Sequence, residues 1–371
     1  MKQYKFIISG GGTGGHIFPA ISIANALKLK YPDAEILFVG AENRMEMERV
    51  PAAGYRIIGL PVAGFDRKNP LKNIPVLIKL RKCLALAKKT IREFNPDVAI
   101  GVGGYASGPT LRMAAKLGIP TLLQEQNSYA GVTNKLLAKK AARICVAYEN
   151  MESFFPKDKI ILTGNPVRQD LEVSEAKRKE AHTHFGLHPD KRTIVVLGGS
   201  LGAGTVNESI LAAWDALSQQ NDVQLLWQTG KYYYKGISER VAMLPANTSV
   251  VYSEFISRMD LAYSVADLII SRAGAGSISE FSLLGKAVVL VPSPNVAEDH
   301  QTKNAMALVS NGAAHMVADK DAVSQLIPQA LELINNPGRL DELRTNIRKM
   351  ALPDSARIIV EEIEKLLDTS P

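Results

Sequence analysis

The sequence predicts an α/β protein made of two similar doubly wound domains, each with a parallel sheet. Three observations carry that expectation. Short apolar runs alternate with helical periodicities along the whole chain, the pattern of strand–helix–strand units. A strand, glycine loop and helix open the chain, and the same unit recurs roughly 190 residues later, so two sheets describe the chain better than one. The 371 residues, 46% of them apolar, suffice for about two cores of ordinary size.

The first strand is Lys5–Ser9. It runs into Gly10-Gly11-Gly12-Thr13-Gly14-Gly15-His16, and helical spacing follows at Ile17, Ala20, Ile21, Ala24 and Leu27. Pro19 is expected in the first turn of that helix, where no intrahelical donor is lost. Further strands are expected at Glu35–Val39, Val98–Val102, Thr121–Leu123 and Arg143–Ala147. The second half offers Thr193–Leu197, Gln224–Gln228, Thr248–Tyr252, Leu268–Ser271 and Ala287–Val291. Its opening strand meets Gly198-Gly199-Ser200-Leu201-Gly202-Ala203-Gly204 and then a helix with Val206, Ile210, Trp214 and Leu217 on one stripe. The boundaries read as a first domain at 1–165, a second at 166–345 and a C-terminal segment at 346–371, with the join at Thr163–Arg168. A charged, solvated helix is expected at Glu172–His184. The last ~50 residues read as three helices, by the spacing of their apolar positions. The final one, Ser355–Leu367, aligns Ala356, Ile359, Val360, Ile363 and Leu366 and is expected to pack back across the junction.

Composition narrows the class of function. A formal charge of +7 favours anionic partners. Cys83 and Cys145 stand alone and read as core thiols. The first apolar stretch stops at Gly10, too short for a signal peptide, and no run approaches the ~20 apolar residues of a spanning helix. A soluble cytoplasmic protein is expected. Arg67–Arg92 interleaves Ile74, Leu77, Ile78, Leu84 and Ile91 with Lys68, Lys72, Lys79, Arg81, Lys82, Lys88, Lys89 and Arg92. That stretch fits either an interfacial helix on anionic lipid or a crossover helix with a basic face. His182, His184 and His188 cannot share one helix face, and no Cys or carboxylate completes a metal set.

Polar and glycine-rich clusters follow the strands: Gly103–Gly108, Gln124–Asn127, Arg272–Ser277 and Pro292–Pro294. Ligands of open parallel sheets bind at the carboxyl ends of strands, so these clusters are expected around one cleft. The opening loop, with glycines and a helix N-terminus, suits an anion. Taken as Gly10, Gly12 and Gly15 with Glu42 beyond the second strand, it also admits a dinucleotide-binding oxidoreductase.

In order, Gly10–His16, Gly103-Gly104-Tyr105, Glu125-Gln126-Asn127, Gly164–Arg168, Gly198-Gly199-Ser200 and Ser271–Ala275 resemble the MurG family of bacterial glycosyltransferases. Those enzymes add N-acetylglucosamine to undecaprenyl-pyrophosphoryl-N-acetylmuramoyl-pentapeptide, turning lipid I into lipid II in peptidoglycan synthesis. The resemblance implies a GT-B fold: two Rossmann-like domains, sheets facing a central cleft, donor in the C-terminal domain and acceptor on the N-terminal one. It implies inversion to a β-1,4 linkage. It puts the uridine near Phe255-Ile256, the ribose on Glu280 and the diphosphate at Ala275, Gly276 and Ser277, with Arg168 and Ser200 nearby. Gln301 would contact the sugar, and Thr13, Gly14, Gly15 and Asn127 would approach the donor from the N-terminal side. Gly104 and Tyr105 fall on the acceptor side. Leu201 and His300 stand where glutamines are familiar in the family.

His16 is the first choice for the base on the acceptor hydroxyl and Glu125 the second. The alternative for His16 is positioning of acceptor or phosphate. No D-x-D metal motif ends a strand, so no metal or other cofactor is expected. Expected partners are UDP-N-acetylglucosamine, lipid I, an anionic membrane surface on the cytoplasmic side, and cell-wall or division proteins, but no nucleic acid. A non-catalytic nucleotide-sugar binding protein and a UDP-sugar epimerase remain as other readings of the same fold.

Overall fold

The computed structural model describes residues 3–62, 74–167, 171–199 and 201–368. Arg168 and Ser200 lie outside the described residues, as do Arg67, Lys68 and Lys72 and the side chains of Ile74, Leu77 and Ile78. The chain divides into two compact units, Met1–Gln169 with Leu352–Pro371, and Asp170–Ala351.

The first unit runs β1 (Lys5–Ser9), α1 (Gly14–Lys30), β2 (Glu35–Ala41), α2 (Glu46–Ala52), β3 (Arg56–Leu60), α3 (Ile74–Phe94), β4 (Val98–Gly101), α4 (Ser107–Lys116), β5 (Thr121–Glu125), α5 (Val132–Leu137), β6 (Arg143–Val146) and β7 (Ile160–Leu162). Its strands form one parallel sheet in the order β3-β2-β1-β4-β5-β6-β7. Phe6 and Ile8 point to one face of the sheet and Ile7 to the other, all fully buried. Burial on both faces is why the central strands read as unbroken apolar runs.

α1 begins earlier than its apolar spacing suggests. Thr13 is the extended N-cap, so Gly14–His16 already belong to the first turn and Pro19 is the sixth helical residue. Its missing N–H removes only one bond near the open end. α3 is a crossover helix whose buried stripe is Cys83, Ala87, Thr90 and Ile91, while Lys79, Arg81, Lys82, Lys89 and Arg92 are exposed. The apolar side chains of its second half are thus used inside the protein. Apart from Ala85, what remains outward is charge.

The second unit contains α6 (Glu175–Phe185), β8 (Arg192–Leu197), α7 (Gly204–Ala212), α8 (Trp214–Ser218), β9 (Val223–Gln228), α9 (Tyr234–Val241), β10 (Val250–Ser253), α10 (Met259–Val265), β11 (Leu268–Ser271), α11 (Ala275–Leu284), β12 (Val288–Leu290), α12 (His300–Val309), β13 (His315–Met316), α13 (Ala322–Ile334) and α14 (Pro337–Lys349). Its parallel sheet has the order β10-β9-β8-β11-β12-β13. The stripe of Val206, Ile210, Trp214 and Leu217 is buried, but the helix breaks at Ala213 into α7 and α8. The segment expected to be solvated is not wholly so. Ser174 caps α6 by accepting from Lys177 N at 3.2 Å, and Ala181 is buried in the core of this unit.

The last helix, α15 (Ser355–Asp368), returns to the first unit. Ile359, Val360 and Ile363 share a core with Ile17, Ile23 and Leu27 of α1. Tyr31 Oη donates to Glu364 Oε1 at 2.5 Å beside that core.

At the amino end of β11, Asp267 accepts both Nη2 contacts of Arg178 at 3.1 Å and the N–H of Thr193 at 2.8 Å. Lys286 Nζ donates to Ala266 O at 3.1 Å in the same place. Burial lowers the Lys286 amine from 10.5 to about 8; Arg344, Arg178 and Arg348 add to the shift, and Asp267 opposes it. Between those values the unfolded chain binds more protons, so this group makes stability rise with pH from about 8 to 10.5. Lys286→Met is expected to be more stable than the native chain near pH 7, by on the order of 2 kcal/mol. Urea melts at pH 7 and pH 10 should show the advantage shrinking at the higher pH.

Candidate active site

Both sheets reverse direction of growth beside their first strand, between β1 and β4 and between β8 and β11. In open parallel sheets ligands bind at the carboxyl ends of the strands beside such a point.

In the first unit the two loops are Gly10–Thr13 and Val102–Ala106. They touch so closely that side chains are excluded. A Cβ on Gly104 would stand 2.4 Å from Gly11 O, and one on Gly10 would stand 2.1 Å from Val102 Cγ2. Gly104 also has φ +86°, a region that glycine alone enters at little cost. The expected residues Thr13, Gly14, Gly15, His16, Gly104 and Tyr105 gather here. Tyr105 is 60% exposed. His16 lies in the first turn of α1, with Nδ1 3.1 Å from Gly11 O and 3.3 Å from Thr13 Oγ1. A carbonyl only accepts, so this contact selects the Nδ1–H tautomer and leaves the basic lone pair on Nε2. A Cβ on Gly103 would approach Nε2 to 2.9 Å. The imidazole therefore stands against the second loop.

Glu125 ends β5 and is buried. Its Oε1 accepts from Asn127 N at 3.1 Å and Asn127 Nδ2 at 3.2 Å; its Oε2 accepts from Gly131 N at 3.0 Å and Asn134 Nδ2 at 2.9 Å. Four donors make this carboxylate the brace of loop 125–134. Beneath it lies a buried amide network. Gln124 Nε2 donates to Asn165 Oδ1 at 2.9 Å, Asn165 Nδ2 to Gln126 O at 3.0 Å, and Gln126 Nε2 to Val102 O at 2.8 Å. Buried polar groups that satisfy each other hold a unique arrangement, here joining the ends of β4 and β5 to the residues after β7.

In the second unit, Gln228 at the end of β9 clamps two loops. Its Nε2 donates to Gly199 O at 3.0 Å, and its Oε1 accepts from Ile256 N at 2.9 Å. Ile256 is buried and Phe255 exposed. The two glycine-started helices differ in access. A Cβ on Gly204 would stand 3.0 Å from Tyr233 Oη, and one on Gly202 would stand 2.6 Å from Tyr233 Cδ2. The Tyr233 ring thus covers the start of α7. At α11 a Cβ on Gly274 or Gly276 would meet nothing within 4 Å, and the first turn has neither a side-chain cap nor an acidic residue. Among the described residues nothing caps its N–H groups, and the positive end of the helix dipole lies behind them.

Around that opening stand the other expected residues. Glu280 lies one turn beyond Gly276 and Ser277, and its Oε2 accepts from Tyr263 Oη at 2.5 Å. Gln301 Oε1 accepts from Ala273 N at 3.2 Å and Ser293 N at 2.8 Å, joining the loops after β11 and β12. Its Nε2 has no partner among the described residues. Arg272 donates to Val291 O at 3.1 Å and Pro292 O at 3.3 Å, and pairs with Asp319, whose other oxygen accepts from Thr205 Oγ1 at 3.0 Å. Leu201 is exposed, and His300 Nε2 lies 3.5 Å from Glu298 Oε2.

Sequence reasoning named Gln124 only as part of the Gln124–Asn127 cluster and missed Gln228 and Glu46 as organisers. Gln124 and Gln228 carry a visible signal, since each is a polar residue near or at the end of an otherwise apolar run. Glu46 carries none: it sits among charged neighbours in Asn43–Glu48 and is nevertheless buried.

Two doubly wound sheets, each with a glycine loop at its point of reversal, are a common frame of nucleotide-binding α/β proteins, and comparison with known proteins narrows the class. Residues 6–146 match the glycosyltransferase family 28 N-terminal domain and residues 193–358 the glycosyltransferase family 28 C-terminal domain. The chain is therefore a glycosyltransferase. Over 99% of its length it is 64% identical to the UDP-N-acetylglucosamine–N-acetylmuramyl-(pentapeptide) pyrophosphoryl-undecaprenol N-acetylglucosamine transferase of Parabacteroides distasonis, covering 100% of that protein. The Bacteroides fragilis enzyme of the same name is 61% identical over 99% of this chain and 96% of its own. The crystal structure of Acinetobacter baumannii MurG superposes with a TM-score of 0.79 at 29% identity, covering 98% of this chain and 100% of that one. The chain belongs to the MurG family. The GT-B expectation agrees with these likenesses, and the oxidoreductase reading falls.

Proposed function

We propose that this chain carries out the MurG reaction, moving N-acetylglucosamine from UDP-N-acetylglucosamine to the 4-hydroxyl of undecaprenyl-pyrophosphoryl-N-acetylmuramoyl-pentapeptide, lipid I to lipid II. The observation that carries the donor side is the open start of α11. Uncapped N–H groups at Ala275, Gly276 and Ser277 suit a diphosphate and stabilise the charge that grows on UDP as it leaves. Glu280 takes the ribose hydroxyls, because one carboxylate accepts from two adjacent donors. The backbone at Ile256, held by Gln228, reads the uracil. Gln301 uses its oxygen on the loops, and its amide N–H groups suit the sugar hydroxyls. Arg168 and Ser200 complete the diphosphate site by family resemblance.

On the acceptor side His16 is the base. Nε2 takes the proton of the 4-hydroxyl as its oxygen attacks the anomeric carbon opposite the departing UDP, which inverts that centre. The tautomer selected by Gly11 supports this role. Glu125 has all four contacts committed to loop donors, which favours a brace over a base. Thr13, Gly14 and Gly15 at the start of α1, with Asn127, border the transferred sugar, and Gly104 and Tyr105 border the acceptor.

Purified protein given radiolabelled UDP-N-acetylglucosamine and a short-chain lipid I analogue should yield labelled lipid and free UDP only when acceptor is present. Donor binding without product would overturn the choice of acceptor. An anionic membrane surface on the cytoplasmic side fits the exposed basic residues of α3, each worth about 1 kcal/mol near such a surface. Vesicle co-sedimentation should rise with anionic lipid content and fall on Lys82→Glu with Lys89→Glu. Contacts with cell-wall and division proteins belong to the same cellular setting.

A further inference from the structure

We propose that Glu46 is a positioning residue for His16, acting through the single peptide group that joins Gly11 to Gly12. The proposal rests on His16 being the base for the acceptor hydroxyl. Gly11 supplies the carbonyl of that peptide and Gly12 its N–H. On one side Gly12 N donates to Glu46 Oε2 at 2.9 Å. On the other, Gly11 O accepts from His16 Nδ1 at 3.1 Å. Carboxylate, peptide and imidazole therefore stand in series.

The carboxylate is built in rather than incidental. Glu46 opens α2 and is 1% exposed. Its Oε1 accepts from Ala41 N at 2.9 Å, which ties it to the end of β2. It also occupies a slot left by glycines: a Cβ on Gly11 would stand 2.1 Å from Oε1, and one on Gly40 2.6 Å from Cγ. Burying a carboxylate is costly unless its oxygens are satisfied. Here two backbone donors satisfy it, and one of them belongs to the peptide on which His16 rests.

A negative charge on the N–H side of an amide polarises it and makes its carbonyl a stronger acceptor, and bonds in such a chain reinforce each other. The stronger Gly11 carbonyl holds His16 in the Nδ1–H tautomer and stabilises the imidazolium formed when Nε2 takes a proton. An acidic residue in direct contact with a catalytic histidine does the same; in this chain a peptide is the spacer. The clamp also opposes rotation of the Gly11–Gly12 peptide, which would turn an N–H toward Nδ1 and reverse the tautomer. With glycine on both sides, at φ +149° and +87°, the peptide meets little steric barrier to rotation, so the clamp is what fixes it.

Glu46→Gln keeps the volume but sets an N–H group against one of the two backbone donors. The variant should lose kcat by about 10- to 100-fold, the usual cost of removing an orienting partner, with KM for UDP-N-acetylglucosamine changed by no more than about twofold. Nitrogen-15 spectra should show His16 leaving the Nδ1–H form, its signals assigned by their loss in His16→Ala. Wild-type turnover in His16→Ala would sink the reading of His16 as base. Loss of activity in His16→Ala with wild-type kcat in Glu46→Gln would sink the role of Glu46 alone. A fall in kcat with the tautomer unchanged would make Glu46 a support of the fold, and would also overturn the proposal. If Glu46→Gln does not fold, the native spectrum decides: Nδ1–H on His16 sustains the series, and Nε2–H breaks it.

Discussion

His16→Ala is expected to lower kcat by ~10²–10⁴-fold, the usual contribution of a general base, while the affinity for UDP stays within about twofold. The reason is spatial as well as chemical. His16 stands in the first turn of α1, against Gly11 and Gly103 of the N-terminal domain, whereas the proposed UDP contacts come mainly from the C-terminal domain. A proton acceptor that holds no part of the nucleotide affects the chemical step alone. Steady-state kinetics with the lipid I analogue, together with calorimetric titration of UDP, measure both quantities on one preparation. Unchanged kcat would remove His16 from the chemistry. A parallel collapse of UDP affinity would make it a binding residue.

Glu280→Ala is expected to do the reverse. Losing two hydrogen bonds to a charged carboxylate costs about 1.5–3 kcal/mol each, so KM for the donor should rise by about 10²- to 10⁴-fold with kcat changed little. Tyr263→Phe gives a graded control. It removes the Tyr263 Oη contact to Glu280 Oε2, loosening one hold on the carboxylate, and should raise KM by about threefold to tenfold. A donor lacking the ribose 2′-hydroxyl should lose much of its disadvantage in Glu280→Ala. If native and variant enzymes discriminate equally against that donor, Glu280 does not hold the ribose.

Much of the architecture was legible in the residues. The central strands are buried on both faces, so Phe6–Ile8, Val98–Ile100, Ile194–Val196 and Leu268–Ile270 appear as unbroken apolar runs. The strands that the reading of the sequence did not place are β3, β7 and β13, and each is the last strand at one edge of its sheet. An edge strand has one neighbour and less apolar cover, so half-buried residues such as Ile57, Ile58 and Gly59 suffice. The start of α1 was misjudged for a different reason. Apolar spacing marks the face of a helix, whereas an extended Thr13 marks its beginning, four residues before the first apolar position at Ile17.

The candidate site divides along the same line. Glycine loops, His16 and the Ala275–Glu280 segment are local signals, because a tight backbone and a helix start are written in consecutive residues. By itself the sequence therefore determined the fold class, the glycine loop and helix start that open each half, and the family to which the chain belongs. Tertiary structure decided which of those signals can act. Tyr233 comes from the loop after β9 to cover the start of α7, and α11 has no such cover. Glu125 is engaged by four donors, two of them from Gly131 and Asn134. Glu46 reaches the peptide beneath His16 across thirty-four residues of chain. Each of these depends on groups distant in sequence and brought within 3 Å or so by packing, and no periodicity or motif encodes a contact of that kind.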